Sequence, residues 1–574
     1  MKKTSIILLF TFGFLLYTAV VAQNPLAIPP TLTGTTFNLK IQNGTTQFYP
    51  GINTPTYGIN GALLAPTLIV NKWDWVTMNV TNTLIGFGNS TTIHWHGLHL
   101  PPTDDGGPHQ IIKQGSTWSP RFQILNTAGT FWYHPHGDGK TDLHVSKGLA
   151  GMIIVKDSIE ESLILPRTYG IDDFPVVVQT KSFDILNQIA ISTEFDTAIC
   201  VNGTINPYLN APSQLVRLRL LNGSSMRTYN FGFTANKSFT MIAGDAGLLD
   251  KALPLTRIRL SPGERAEILL DLSGMNGQTI ELKSFSSELP NGIYGAKTVR
   301  SMMGGTIPEY NLNSLNGKDF DILQINVGAQ TANPITTLPT NLTTNNPWKN
   351  YTISRNIVLQ PDTMMSSQSQ VIGPFNIDGQ HFDMDKINIT THLNTVEKWK
   401  ISNNTGIAHP FHKHDMHFFL LNVNGGVVPE YEKGKKDVVL VMPMQYVEFV
   451  TAFEDFANST VPFMYHCHLL HHEDDGMMGS YRVIDTSTTG VSEPFESNVT
   501  LYPNPTNNTL VIKIGKNVNF PKIKILDVLG EVVESPIVIE GDTSTLDVST
   551  LTVGIYYLHI QSTSNISIHK FIKQ

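Results

Sequence analysis

One pattern recurs three times along the 574 residues: an Asn-Gly or Asp-Gly turn, a short loop, then an alternating run that ends in Asn. The copies are Asn60-Gly61 with VTMNVTN, Asn202-Gly203 with VRLRLLN, and Asp378-Gly379 with VEKWKISN. Successive side chains on a strand point to opposite faces, so alternation between turn signals marks half-buried strands. Repetition at domain-sized intervals predicts three copies of one β-sandwich. Capped segments with helical periodicity are scarce, as an all-β chain requires. The length exceeds what one hydrophobic core serves, so about three to four domains are expected.

Breaks in composition fall at KDSIEES, at the Asn- and Thr-rich PTNLTTNNP and at the linker-like DTSTTGVSEP. They predict sandwiches over 23–157, 158–340 and 341–485, a linker over 486–498 and a small further sandwich over 499–574. Residues 1–22 read as a secretory signal: Lys2 and Lys3, an apolar run, then Val20 and Ala22 before the cleavage point. The run is close to the lower limit of about 17 residues for a spanning helix, and no other segment is a candidate span. A net charge of -8 without a basic stripe excludes a nucleic-acid partner.

Four His-x-His pairs stand out: HWH (His94, His96), HPH (His134, His136), HKH (His412, His414) and HCH (His466, His468). On a strand each pair presents two parallel imidazoles, the side chain most often used to bind metal at neutral pH. A lone pair of this kind is weak evidence, but four pairs among 19 histidines are not explained by packing. Two pairs lie in the first repeat and two in the third. A shared cluster would therefore sit where those domains meet, with the middle repeat as a spacer.

The chain has two cysteines, so it can form at most one disulfide, and Cys467 sits inside HCH. If HCH is extended, His466 and His468 face one side and Cys467 the other, and a metal on the thiolate is a few covalent bonds from metals on the imidazoles. Two imidazoles and a weak axial thioether complete a blue copper electron-transfer site, and His409, His472 and Met477 are at hand. Zinc is the competing metal, but it favours closed sites richer in thiolate and carries no electrons. Cys200 reads as a buried apolar cysteine, and His471 has no evident ligand role.

These residues resemble the multicopper oxidases, built of three cupredoxin domains, from about Pro25 to Ile484 through HWHGLHLP, WYHPH, HPFHKH and HCHLLHHEDDGMM. Within the family the likeness is to the bacterial copper-efflux oxidase, bilirubin oxidase and spore-coat laccase group. The resemblance implies an all-β fold of three cupredoxin-like Greek-key sandwiches and four copper ions. His409, Cys467, His472 and Met477 would hold the type 1 copper, and His94 and His412 the type 2 copper. His96, His134, His136, His414, His466 and His468 would hold the type 3 pair. Asp105 and Glu473 match the family's proton-donor positions, although Asp105 in PPTDDGGP also suits an ordinary turn.

The expected activity is one-electron oxidation of a small reducing substrate coupled to four-electron reduction of O2 to water. Phenols and related aromatics are the first choice of substrate and Cu(I) the second. In the copper-efflux oxidases an acidic residue and a methionine precede the type 1 histidine, and here Thr405 and Ile407 fill those positions. Only SMM at Ser301 to Met303 and TMM at Thr363 to Met365 hint at a methionine-rich insertion, and such pairs are more often core packing. The rival reading is a non-catalytic copper-binding protein. A copper nitrite reductase, which has no type 3 pair, fits less well.

After the linker, LYPNPTNN, GIYYLHI and the terminal KFIKQ resemble the C-terminal sorting domain of the type IX secretion pathway of Bacteroidota. That resemblance implies export by way of the periplasm to the cell surface or the medium, with the secretion machinery as partner. A monomer is expected.

Overall fold

The structure is a computed structural model. It describes residues 23–485 and 499–574 except 87–88, 192–194, 300–307, 363–370, 372, 515–521, 529, 538–542 and 562–565. The leader, the linker and the SMM and TMM segments lie outside the described residues. The described residues up to Asp485 form one compact unit and those from Val499 another.

The three sequence repeats are three equivalent corners. Asn60, Asn202 and Asp378 all have positive φ (56°, 47° and 53°), a conformation that Asn and Asp tolerate better than other residues with a Cβ. Each side-chain Oδ1 accepts from a backbone N–H across the corner: Lys40 at 2.7 Å, Val177 at 2.9 Å and Val358 at 2.8 Å. The strands that follow are Trp75–Asn82, Leu215–Asn222 and Thr395–Asn403. Each ends on a buried Asn whose amide donates to two backbone carbonyls, one in the next loop and one 30 or 38 residues on, as Asn222 does to Arg227 and Leu260.

Each corner belongs to a pair of sheets. The first pair is formed by strands between Thr31 and Lys156, the middle pair mainly by strands between Asp173 and Gly328, and the third pair by strands between Ile353 and Ile484. The second unit adds a three-stranded and a four-stranded sheet around a small core of its own. Asn24–Pro25 pairs in parallel with Pro207–Tyr208, so this short strand belongs to the middle sandwich instead of the first.

The middle repeat departs from the half-buried strand that its alternation predicts, because Leu215–Asn222 is buried on both faces. Arg217 and Arg219 face a layer where burial is possible only with compensation. Glu160 and Glu267 pair with Arg217, and Asp173 and Glu267 pair with Arg219. Arg219 also donates to Thr130 Oγ1 of the first sandwich at 3.0 Å, so this polar face is an interface.

Candidate metal centre

One sheet of the third sandwich separates two clusters of ligating side chains. His409–Lys413 pairs antiparallel with Phe463–Cys467, placing His412 opposite His466 and Phe411 opposite Cys467. Opposed residues share a face and neighbours alternate, so His412, His414, His466 and His468 lie on one side and His409 and Cys467 on the other. In the first sandwich His94 and His134 exchange backbone hydrogen bonds at 2.8 and 3.1 Å, which aligns HWH with HPH.

On the first side the structure brings together all eight paired histidines. His94 groups with His412 and His414, His96 with His134 and His468, and His136 with His414 and His466. All eight are buried. Burial, then the neighbouring imidazoles, hold His96, His134, His412 and His414 well below the usual histidine range, so their rings are neutral with a free lone pair.

Oxygen acceptors decide which nitrogen carries that lone pair. His94 Nδ1 donates to the Asp105 carbonyl (2.9 Å), His412 Nδ1 to the Asp437 carbonyl (2.8 Å), and His414 Nδ1 to Asp105 Oδ2 (2.7 Å). His134 Nδ1 donates to the Pro135 carbonyl (2.9 Å), and His466 Nδ1 to the Cys467 carbonyl (3.1 Å). Nε2 of His136, His414 and His466 then converge at 3.1 to 3.2 Å with their protons elsewhere. His94 Nε2, His412 Nε2 and both nitrogens of His468 are buried without a hydrogen-bond partner. Unpaired buried acceptors are costly, and convergent lone pairs are satisfied by a cation, so the donor set fits bound metal.

On the second side Cys467 Sγ lies 3.3 Å from His409 Nδ1 and 3.6 Å from His472 Nδ1. The far nitrogens are engaged, His409 Nε2 with Thr405 Oγ1 at 2.8 Å and His472 Nε2 with the Val371 carbonyl at 2.9 Å. Burial pushes the Cys467 thiol well above its ordinary range, and a bound cation reverses that preference by favouring thiolate. Met478 lies opposite His466 in the ladder, whereas the Met477 carbonyl accepts from Cys467 N–H at 3.1 Å. The fully buried Met477 therefore shares the Cys467 face. A thiol and two imidazoles grouped on one face, with a buried thioether on the same side, are the donor types of a copper site rather than a zinc one. Cys200 is buried and free, with its thiol pushed up to about 11 by burial.

Asp105 and Glu473 both touch the first cluster. Asp105 Oδ1 is 3.4 Å from His94 Nδ1. Glu473 Oε1 is 3.3 Å from His136 Nδ1 and accepts from Thr141 Oγ1 at 2.8 Å, and its Oε2 is 3.1 Å from His466 Nδ1. The turn around Asp105 is real, since Gly106 has φ +80°, but the carboxylate does not serve it.

Several participants escaped the sequence reading. Asp437 and Val371 touch the ring nitrogens of His96, His412 and His472, and Thr141 touches Glu473, yet none of the three sits in a His-x-His motif. The middle sandwich is more than a spacer: a Cβ on its Gly263 would lie 3.0 Å from the His468 ring, and its Ser225 carbonyl accepts from Leu470 N–H at 3.0 Å. His471 also has a place, in the wall of a cleft with Ile189, Met226, Tyr294 and Asp142. For Asp437 the sequence carries a local signal in the glycine after HWH: Gly97 has φ +83° and lies against the Asp437 carboxylate.

Comparison with known proteins agrees with this geometry. Residues 40–160 and 350–487 match two multicopper oxidase domain models, and residues 500–574 match a secretion system C-terminal sorting domain. The multicopper oxidase Mco of Staphylococcus haemolyticus is 35% identical over 78% of this chain and 88% of its own. The cell division protein FtsP of Escherichia coli is 30% identical over 80% and 93%. The laccase-like multicopper oxidase CueO of Ochrobactrum sp. superposes with a TM-score of 0.70 at 29% identity, over 80% of this chain and all of that one. The chain belongs to the multicopper oxidase family, copper-dependent oxidoreductases with O2 as acceptor, and carries a sorting domain for export. Among the described residues no helix is long and apolar enough to cross a membrane.

Proposed function

We propose that the protein is a four-copper, laccase-like oxidase of phenolic and related aromatic donors. His409, Cys467, His472 and Met477 hold the type 1 copper, His94 and His412 the type 2 copper, and His96, His134, His136, His414, His466 and His468 the type 3 pair. The observation that carries this reading is the hydrogen bonding of the rings: an oxygen acceptor on one nitrogen leaves the other aimed at its neighbours. Copper bound there supplies one-electron acceptance from the donor and four-electron reduction of O2 to water.

The chain's own residues do the rest. Cys467 is covalently continuous with His466 and His468, which gives electrons a short path between the two sides of the sheet. Asp105 and Glu473, in contact with imidazoles of four ligands, hold protons for water formation. Thr141 Oγ1 orients the Glu473 carboxylate.

The choice of substrate is supported by Thr405 and Ile407, which offer neither carboxylate nor thioether beside His409. The cleft at His471, next to the ligand His472, presents the apolar and aromatic side chains Ile189, Met226 and Tyr294. The Ochrobactrum relative is described as an oxidase of lignin model compounds and lignosulfonate. Cu(I) is the second reading, favoured by the Met226 thioether and the Asp142 carboxylate in the same cleft. A relative at 30% identity, FtsP, carries a cell-division name and no oxidase name, and a non-catalytic copper-binding role is the alternative to be tested. The mature protein is a monomer that leaves through the periplasm after loss of residues 1–22, handed to the type IX machinery by its tail.

The test is steady-state O2 uptake by copper-loaded protein with phenols and with Cu(I). Higher kcat/KM for phenols is expected. Preference for Cu(I) would move the protein to copper detoxification, and absence of uptake with either would leave a copper-binding role. Cys467→Ser should lose both the blue colour and the uptake, because no other cysteine adjoins the site.

A further inference from the structure

His96 differs from the neighbouring histidines in its tautomer. Its Nε2 lies 3.2 Å from Asp437 Oδ1, so Nε2 carries the proton and Nδ1 faces His134 Nε2 at 3.3 Å. The same Asp437 takes His412 Nδ1 on its backbone carbonyl at 2.8 Å, and the His96 and His412 rings stack at 3.8 Å. One residue thus orients a ring from the first sandwich and a ring from the third.

Asp437 is itself clamped. Arg265, from the strand Arg265–Asp271 of the middle sandwich, donates to both carboxylate oxygens at 2.6 Å. Its other N–H groups go to the carbonyls of Thr130 (3.1 Å), Gly263 (3.0 Å) and Asp245 (2.5 Å), so all five guanidinium donors are used, on all three sandwiches. With both oxygens committed to Arg265, Asp437 is not a metal ligand, although it groups with His96 and His412. Gly97 makes room for the clamp: a Cβ there would clash with Asp437 Oδ2 and come within 2.8 Å of Arg265 Nη2.

We propose that Arg265 and Asp437 are positioning residues that select the Nδ1 lone pair of His96 and aim Nε2 of His412, so that the middle sandwich helps to build the copper cluster. This rests on the copper assignment above.

The experiment uses copper-loaded full-length protein and the variants Asp437→Asn, Arg265→Lys and Gly97→Ala. Copper per chain and the type 2 electron paramagnetic resonance signal are followed during chelator titration, with the type 1 absorption recorded in the same samples. The expected result is retention of type 2 copper about 10- to 100-fold weaker in each variant while the blue type 1 absorption persists. Unchanged type 2 spectra and retention in all three would overturn the proposal. Parallel loss of type 1 and type 2 copper would also overturn it, since the pair would then serve folding rather than the site. Unmodified protein that binds copper without a blue absorption would instead remove the assignment on which the proposal rests.

Discussion

The Thr405 hydroxyl lies 2.8 Å from His409 Nε2 and directs its own proton to the Asn403 side chain or the Ile407 carbonyl, at 2.8 and 2.9 Å. It therefore accepts from His409 and is a neutral, weak acceptor where a carboxylate would make the imidazole a stronger donor. Thr405→Asp is expected to lower the type 1 potential, because a more basic imidazole favours Cu(II). A redox titration followed by the blue absorption checks this, and an unchanged or raised potential would show that the contact does not tune the site.

Met477→Leu should keep the colour, which comes from the thiolate, and raise the potential by removing a weak donor to Cu(II). A rise of about 60 mV corresponds to about 1.4 kcal/mol for one electron. Met478→Leu should leave the potential in place, because Met478 shares the face of His466 instead. The reverse outcome would exchange their roles.

Glu473→Gln should retain its copper, since Glu473 is not needed as a ligand, and slow O2 reduction by about 10²- to 10⁴-fold, because an amide supplies no proton. Single-turnover kinetics separates the two steps: reduction of the type 1 centre by substrate should keep its rate while reoxidation by O2 slows. Equal slowing of both would contradict the proton role.

His99 ties the first sandwich to the third through Asp415 at 2.6 Å and Asp455 at 3.0 Å. Burial alone would lower its pKa, but the two carboxylates outweigh it and raise it to about 10. A raised folded pKa adds stability that is fully present below about 6.5, the value in an unfolded chain, and is lost as pH climbs through about 10. The Tm of the unmodified protein should fall across that window. In His99→Gln the Tm should be lower at pH 6 and the decline flatter, and a variant with the same profile as the parent would deny the clasp any energetic role.

A chain ending at Asp485 removes the whole second unit and, among the described residues, no member of a metal-binding cluster. It should fold, load copper and oxidise phenols with specific activity within about twofold of the full chain, consistent with separate hydrophobic cores. In a host with type IX secretion it should stay inside the cell envelope. Export of the truncated form would assign the tail a different task.

The sequence alone was enough to determine what depends on local backbone geometry. Strand alternation separates His466 and His468 from Cys467, and the turn residues Asn60, Asn202 and Asp378 mark three equivalent corners, because side-chain direction and positive φ are properties of a few consecutive residues. The side chains that cluster could be named in advance for the same reason. Only the tertiary structure decided which nitrogen of His96, His412, His414 and His472 faces its cluster, since the acceptors that set those tautomers come from distant segments. Arg265 reaches Asp437 across 172 residues, and no periodicity announces that contact. It also decided that the arginines of VRLRLLN are buried, because the carboxylates that neutralise them lie on other strands and on a short helix. Local pattern sets the direction of a side chain, and long-range packing sets what it meets.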